Sequence, residues 1–333
     1  MGREAEIAAA RGFLLEEGVP LLTLTGPGGV GKTRLALAIA ADVSEHFSDG
    51  IAWVDLAPLA DPDLVDVTVA ATLDIASAPD RSVRDALLLH LRPAQRLLVL
   101  DNCEHLVAAV GGLVSALLNG CPALQVLVTS RAPLHLRGEQ ILPIPPLEVP
   151  PLGAPLDVVR AAPASALFVQ RARAVDPHFA LSEENAAAVA AVCQRLDGLP
   201  LAIELAAARA NLRPPEALLA LFSRRLQELG AGPRDAPARH QTMQDAIAWS
   251  YALLSPEEQA FFRTLSVFAG GWTLEAAAAV CDLSLPDALA RLEALIDQSL
   301  VVRVAGGESG TARFSMLETI RAFGLEQLRD SGE

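Results

Sequence analysis

The chain has 333 residues, 52% of them apolar, and a formal net charge of −14 at pH 7. A chain of this length can bury several cores, so we expect two or three domains. The acidic balance disfavours nonspecific binding to nucleic acid or anionic lipid, and the longest apolar runs are shorter than the ~20 residues of a membrane span. Because the N-terminus lacks the basic-then-apolar order of a secretory signal, we expect a cytoplasmic protein.

Residues 1 to about 145 alternate short β-rich runs with helical patterns, which predicts a parallel sheet with helices on both faces. The predicted strands are Leu21 to Thr25, Ile51 to Asp55, Arg96 to Asp101, Gln125 to Thr129 and Gln140 to Ile144. The predicted helices are Lys32 to His46, Pro62 to Ala76, Val83 to His90 and Glu104 to Asn119. The fold class is therefore α/β, with a nucleotide-binding domain over residues 1–150.

A complete GxxxxGK[ST] motif joins the first strand to the first of these helices. Such a loop turns backbone N–H groups towards phosphate oxygens, and the positive end of the following helix adds attraction. Its residues, with the neighbouring arginine, are the candidate phosphate-binding set: Gly26, Pro27, Gly28, Gly29, Val30, Gly31, Lys32, Thr33 and Arg34. Of 26 basic residues only Lys32 is a lysine, and it stands where a compact ammonium is required. We expect Lys32 to reach the β- and γ-phosphates and Thr33 to bind Mg²⁺.

Two later strands end in polar residues that suit the same site. The strand ending at Asp101 is typical of a Walker B strand, whose carboxylate faces Mg²⁺, although a buried strand with a capping aspartate is the plainer alternative. The next residue, Asn102, cannot take a proton from an attacking water, so hydrolysis should be slow or should use Glu104 or His105. Arg131 follows the strand after that and could sense a γ-phosphate, although surface arginines at strand ends are common.

Beyond residue 150 the pattern becomes helical. The proline-rich run from 142 to 151 predicts a linker, because proline removes backbone donors and disfavours helix before it. Four helices are predicted in residues 151–235: Ala164 to Arg173, Ser182 to Leu196, Leu201 to Ala210 and Pro215 to Leu229.

A second break at 230–237 precedes a predicted winged-helix domain over 236–333. Its predicted elements are helices Thr242 to Leu254, Pro256 to Val267, Leu274 to Cys281, Leu285 to Gln298 and Leu317 to Arg329, with β-runs Leu300 to Val304 and Arg313 to Met316 around a glycine-rich turn at 306–310.

The ordered set of motifs resembles the NB-ARC module of STAND-class P-loop ATPases, and most resembles bacterial AfsR/SARP-like and LuxR-like regulators. The resemblance covers nearly the whole chain. It rests on the GRE start at Gly2 to Glu4, the glycine-rich loop, Leu97 to Asn102, Thr129 to Arg131, the GLPLA stretch from Gly198 to Ala202, and Met316 to Glu318.

The resemblance implies further roles. Arg3 would lie near the adenine, Pro200 would pack against the base, and Asp101 and Arg131 would serve catalysis and nucleotide sensing. In NB-ARC proteins a Met-His-Asp motif lets histidine contact the ADP phosphate, but this chain has Leu317 in that place. Leucine cannot donate such a hydrogen bond, so we expect either a closed state that is less tightly coupled to ADP or a substitute such as Arg313.

The predicted function is an ATP/ADP-binding switch with Mg²⁺, in which ADP holds a closed state and ATP favours an open, self-associating one. One alternative is an ATPase whose main output is hydrolysis, and another is a winged-helix DNA binder. The predicted helix from Leu285 to Gln298, which stands where a winged-helix domain has its DNA-recognition helix, carries one arginine against three acids. Residues 240–333 hold 6 arginines against 13 acids, and both balances disfavour DNA binding.

The chain looks like a module of a longer regulator. Its four cysteines, Cys103, Cys121, Cys193 and Cys281, lack metal or disulfide spacing and are expected to be reduced.

Overall fold

The computed structural model describes residues 2–75, 81–211, 213–222, 242–304 and 312–332. It divides into two compact units. The sheet unit comprises Arg3–Gly26 and Gly31–Ile144, and the helical unit comprises Met1–Gly2, Pro27–Val30 and Pro145–Glu333. The three-part division at residues 150 and 235 stays a prediction, since its second boundary falls outside the described residues.

Five parallel strands form the sheet: β1 (Leu21–Thr25), β2 (Ile51–Asp55), β3 (Leu97–Asp101), β4 (Gln125–Thr129) and β5 (Glu139–Pro143). Their order is β2-β3-β4-β1-β5, and every neighbouring pair is parallel. All five strands agree with the prediction to within a residue at either end. Because β4 lies between β1 and β3, the segments that follow these three strands meet at one edge of the sheet.

The helices of the sheet unit are α1 (Glu4–Arg11), α2 (Lys32–Val43), α3 (Val65–Thr72), α4 (Val83–Leu91) and α5 (Val107–Gly120). A π-helical turn (Gly12–Glu16) follows α1, and short 3-10 turns follow α2 (Ser44–His46) and precede α3 (Pro62–Leu64). The sequence prediction missed α1. The helix predicted from Glu104 begins three residues later, because 103–106 form a turn that Leu106 N–H closes onto Cys103 O.

Apolar side chains of the strands pack against α3, α4 and α5 to form the core of the sheet unit. Leu98 and Leu100 of β3, Val126 of β4 and Leu113 of α5 are fully buried. Each such side chain contributes roughly 1.5–3 kcal/mol on burial. This core fixes the strand ends that carry the polar residues described below.

The helical unit contains ten described helices and a small antiparallel sheet. The helices are α6 (Leu156–Ala161), α7 (Pro163–Val175), α8 (Glu183–Arg195), α9 (Pro200–Ala207), α10 (Pro215–Phe222), α11 (Met243–Ala252), α12 (Pro256–Leu265), α13 (Leu274–Val280), α14 (Leu285–Asp297) and α15 (Glu318–Ser331). The strands β6 (Trp272–Thr273), β7 (Val302–Val304) and β8 (Arg313–Ser315) have the order β6-β8-β7. The helix α6 and the strand β6 were not predicted, and the predicted turn at 306–310 lies outside the described residues.

Local signals explain where several of these helices begin. Ser255 caps α12 in a capping box with Glu258, and Pro256 occupies the first helical position. Ser182 caps α8 in a capping box with Asn185. Among the described helices, none has the length and apolarity needed to cross a membrane.

Candidate functional site

The glycine-rich loop takes a conformation that its glycines alone make accessible. Gly26, Gly29 and Gly31 have φ angles of +149°, +78° and +96°, in the region that residues with a side chain rarely adopt. The loop leads from the fully buried β1 to α2, which begins at Lys32. The N–H groups of the first turn of α2 therefore lie beside the loop, and a helix N-terminus that follows a glycine-rich loop is the arrangement that binds phosphate.

The Lys32 side chain folds back onto the glycine-rich loop from which it starts. Its Nζ donates a hydrogen bond to the carbonyl oxygen of Gly26 at 2.6 Å. The ammonium is thereby held over the loop.

Asp101 receives three hydrogen bonds at the end of β3, where it is 2% exposed. Thr33 Oγ1 donates to Asp101 Oδ1 at 2.9 Å, the Thr129 hydroxyl donates to the same oxygen, and Asn102 Nδ2 donates to Oδ2 at 2.8 Å. The two residues predicted to bind Mg²⁺, Thr33 and Asp101, are thus in direct contact although 68 positions separate them.

The surroundings of Asp101 leave its negative charge incompletely balanced. Burial raises the pKa of Asp101, and the nearby Asp55 and Glu104 carboxylates act in the same direction. The hydrogen bonds from Thr129 and Thr33 oppose that rise. A cation placed beside Asp101 and Thr33 would relieve this imbalance, and a carboxylate with a hydroxyl is the oxygen donor set that Mg²⁺ accepts, with waters and phosphates completing its shell.

Asn102 joins two carboxylates. It has a φ of +65°, a conformation that asparagine tolerates better than most residues, and its backbone N–H donates to Thr129 Oγ1 at 2.9 Å. Its Nδ2 donates to Asp101 and also to Asp55 Oδ1 at 3.2 Å. Asp55 was not among the predicted site residues, although it ends β2 directly opposite Asp101 in the register, and that position at a strand end is the signal that could have revealed it.

Arg131 and Glu104 form a buried ion pair. Arg131 Nε lies 3.3 Å from Glu104 Oε1, and their side chains are 1% and 5% exposed. Arg131 stands beside the strand that enters the glycine-rich loop, since Ser130 N–H donates to Leu24 O at 3.1 Å. His105, the other residue considered as a base, has its Nε2 2.7 Å from Leu59 O.

The remaining predicted site residues have different surroundings. Arg3 immediately precedes α1 and donates to Glu6 Oε1 at 2.8 Å, while Arg34 is exposed on α2. Pro200 occupies the first position of α9. The next residue, Leu201, donates its N–H to Gly29 O at 3.1 Å within the helical unit. The roles of Arg3, Arg34 and Pro200 towards a nucleotide stay predictions.

The segment that aligns with the Met-His-Asp motif, Met316 to Glu318, contacts the C-terminal end of α8. Leu317 is the N-cap of α15 without a side-chain cap, and Glu318 Oε1 accepts from Arg195 at 3.1 Å and from Arg321 at 2.7 Å. Arg313, the substitute that the sequence offers, donates to Gly271 O at 3.2 Å and is exposed.

The sheet order, the glycine-rich loop and the Thr33–Asp101 contact together define a P-loop NTPase fold. An NB-ARC domain model matches residues 3–133, and a winged helix-turn-helix domain model matches residues 254–329. An uncharacterised protein of Mycobacterium bovis is 38% identical over 337 aligned positions, covering 100% of this chain and 82% of that protein. The chain therefore belongs to the NB-ARC family, and it also carries a winged helix-turn-helix domain.

Two longer relatives have names that describe regulators. A Mycobacterium bovis protein with the provisional name of an HTH-type transcriptional regulator is 42% identical, over 94% of this chain and 34% of its own length. The regulatory protein AfsR of Streptomyces griseus is 32% identical, over 91% of this chain and 29% of its own length. The chain thus spans about a third of the length of such relatives.

Proposed function

We propose that this chain is an ATP/ADP-binding switch of the STAND type, which serves as the regulatory NTPase module of a signalling or transcriptional regulator. The proposal is supported by membership of the NB-ARC family and by the names of the regulators that share this region. A cytoplasmic location stays a prediction that accompanies it.

The observation that carries the proposal is the contact between Thr33 at the start of α2 and Asp101 at the end of β3. It joins the phosphate-binding loop to the carboxylate that would hold Mg²⁺, so one cation there could touch both the protein and a bound phosphate. Bound Mg²⁺ would supply neutralisation of phosphate charge. Thr33 and Asp101 would hold it, Lys32 would bind phosphate oxygens, and the loop glycines would present their N–H groups.

A switch requires that hydrolysis be slow compared with signalling, and the residues around Asp101 support this. Asn102 occupies the position after Asp101 and has no carboxylate to accept a proton from water. Glu104 is paired with Arg131, and His105 is engaged with Leu59 O. In the described conformation Asn102 is therefore unsuited to act as a general base, and Glu104 and His105 are each held by another group.

The exchange of ADP for ATP would act by shifting a population between closed and open forms. To move such an equilibrium from 1:99 to 99:1, the nucleotide must favour the open form by about 5.5 kcal/mol. Contacts with the γ-phosphate alone distinguish ATP from ADP, so Lys32 and Arg131 are the cations proposed to provide much of this difference.

The test is to identify the nucleotide that copurifies with the chain, by mass spectrometry, and to measure steady-state hydrolysis. We expect bound ADP or ATP in the wild type, loss of it in Lys32→Ala, and turnover well below ~1 per second. Arg11→Ala, which removes an exposed cation paired with Asp42, is the matched control and should keep the nucleotide. Unchanged nucleotide content in Lys32→Ala would contradict the proposal, and rapid turnover would favour the hydrolytic alternative.

The DNA-binding alternative has a separate test, which is binding to duplex DNA at low salt. The helix α14 has one arginine among three acids, so phosphate contacts from this helix are few. We expect no retention of DNA at ~50 mM salt, where phosphate contacts act most strongly. Retention that weakens steeply with added salt would establish a DNA contact.

A further inference from the structure

Arg131 is proposed to contact the γ-phosphate, but that role leaves its buried partner Glu104 unexplained. Arg131 is among the largest side chains that are completely enclosed, and a guanidinium taken out of water needs a compensating charge. Glu104 Oε1, 3.3 Å from Arg131 Nε, provides that charge. The carboxylate is itself enclosed, so water screens this attraction little.

Both members of the pair are fixed close to the phosphate-binding loop. Arg131 lies two residues beyond Thr129, whose hydroxyl contacts Asp101, and Asp101 in turn contacts Thr33 of the loop helix. Glu104 lies three residues beyond Asp101, in the turn that Cys103 N–H ties to Thr129 O at 3.0 Å. The ends of β3 and β4 therefore hold the carboxylate and the guanidinium together at the edge where β1 enters the loop.

A triphosphate arriving in that loop would bring a γ-phosphate into competition with Glu104 for the same cation. Arginine has five donors, so it can contact both anions, yet the charge that it offers to a phosphate is reduced while a buried carboxylate neutralises it. ADP has no γ-phosphate and would leave the pair undisturbed. The carboxylate of Glu104 would then weaken ATP binding more than ADP binding.

We propose that Glu104 is a positioning residue that sets the preference between ATP and ADP, by holding Arg131 and neutralising part of its charge. This inference rests on the proposed nucleotide-binding function and deepens it. It goes beyond a sensor role for Arg131 alone, because it proposes that the Glu104 carboxylate determines how strongly Arg131 attracts a γ-phosphate. Glu104 acts through Arg131 and needs no contact with the nucleotide.

The test is to measure the dissociation constants of ADP and of a slowly hydrolysed ATP analogue for wild type, Glu104→Gln, and the double variant Glu104→Gln/Arg131→Gln. The ratio of the ADP constant to the analogue constant is the readout, because general loosening of the fold would weaken both ligands alike. In Glu104→Gln we expect this ratio to rise roughly tenfold, the size of one charge-assisted hydrogen bond. In the double variant, we expect the ratio to be no higher than in wild type.

Glu104→Asp is the second variant, because it keeps the buried charge and so preserves folding if Glu104→Gln does not fold. Its shorter side chain weakens the pair, and we expect a rise of roughly threefold in the same ratio. An unchanged ratio in the folded variants, or a rise that persists in the double variant, would overturn the inference. A wild type that binds neither nucleotide would instead contradict the proposed function, so the two failures are distinguishable.

Discussion

Asp197 Oδ2 accepts two hydrogen bonds from Thr319, one from its backbone N–H at 2.8 Å and one from its hydroxyl at 2.9 Å. The two residues are 122 positions apart in sequence. Asp197 follows α8 and immediately precedes the GLPLA stretch, while Thr319 is in the first turn of α15. A carboxylate at a helix N-terminus satisfies free N–H groups there and is favoured by the helix dipole. Arg195 and Glu318 add an ion pair at the same place, with N and O atoms 3.1 Å apart.

Removing the Asp197 carboxylate should destabilise the helical unit. In Asp197→Ala the N–H and hydroxyl of Thr319 lose their acceptor, and we expect the free energy of unfolding to fall by about 2–3 kcal/mol. Asp197→Asn keeps an oxygen that can accept both bonds and should lose less than about 1.5 kcal/mol. Urea denaturation followed by circular dichroism measures the difference. Equal losses in the two variants would show that the hydrogen bonds do not matter.

The stability that Asp197 contributes should depend on pH. Burial raises the pKa of Asp197, and the hydrogen bonds from the backbone of Thr319 and Glu318 only partly oppose the rise. An acid whose pKa is higher in the folded state binds its proton more tightly there. Its contribution to the free energy of unfolding is therefore complete below the unfolded pKa of about 3.9, and it is lost as pH rises through the folded pKa. We expect the unfolding free energy of wild type minus that of Asp197→Asn to decline from pH ~4 upwards. A difference that grows with pH over that window would disprove this assignment.

Gly198 should tolerate no side chain. It has a φ of +67°, and a Cβ added there would lie 2.1 Å from the carbonyl oxygen of Leu147. The backbone N–H of Leu147 also donates to the carbonyl oxygen of Gly198 at 2.9 Å. Because this hydrogen bond ties the two backbone segments together, neither segment can move away to relieve the clash. We expect Gly198→Ala to cost more than about 2 kcal/mol, from the left-handed backbone and the clash together.

Gly112 provides the matched control for Gly198. It is an exposed residue within α5, and a Cβ added there meets no atom within 4 Å. Gly112→Ala should therefore stabilise the protein by about 0.5–1 kcal/mol, the usual gain in a helix interior. Thermal unfolding of the two variants side by side separates backbone strain from a general effect of alanine. Similar unfolding temperatures for both would contradict the geometry given for Gly198.

Changing Asn102 to aspartate should make stability depend on Mg²⁺. Asn102→Asp keeps the left-handed backbone but places a third carboxylate between Asp101 and Asp55, where the asparagine now donates to both. Without Mg²⁺ we expect a loss of about 1–2 kcal/mol from repulsion and lost hydrogen bonds, and Mg²⁺ should restore part of it. Asn102→Gly, which removes the side chain without adding charge, is the control. Thermal unfolding with and without Mg²⁺ decides, and an equal response of both variants to Mg²⁺ would refute the prediction.

The sequence predicted those parts of the fold that local pattern determines. The apolar runs of β2 and β3 end in Asp55 and Asp101, and Gly26 follows β1, so the ends at Thr25, Asp55 and Asp101 could be located from local pattern alone. The glycine-rich loop and its lysine are equally local. By contrast, the six-residue α6 and the two-residue β6 are too short to produce a periodic signal.

The contacts that define the site join residues far apart in the chain. Asp55 meets Asn102 across 47 positions, and Thr33 meets Asp101 across 68. No spacing rule predicts which acid of one segment will meet which donor of another, because this depends on strand order and helix docking. The pairing of Arg131 with Glu104 is similar: the sequence marked both residues, but it could not show that they bind each other.

The most direct test of nucleotide binding uses the single lysine of the 333-residue chain. An acylating reagent specific for amines can modify Lys32 and the amino terminus, and mass spectrometry of peptides quantifies each site. We predict that Mg²⁺ with ATP or ADP protects Lys32 in a saturable way and leaves the amino terminus as reactive as before. Equal modification of Lys32 with and without nucleotide, over concentrations up to ~1 mM where cellular nucleotide sites are expected to fill, would contradict the account.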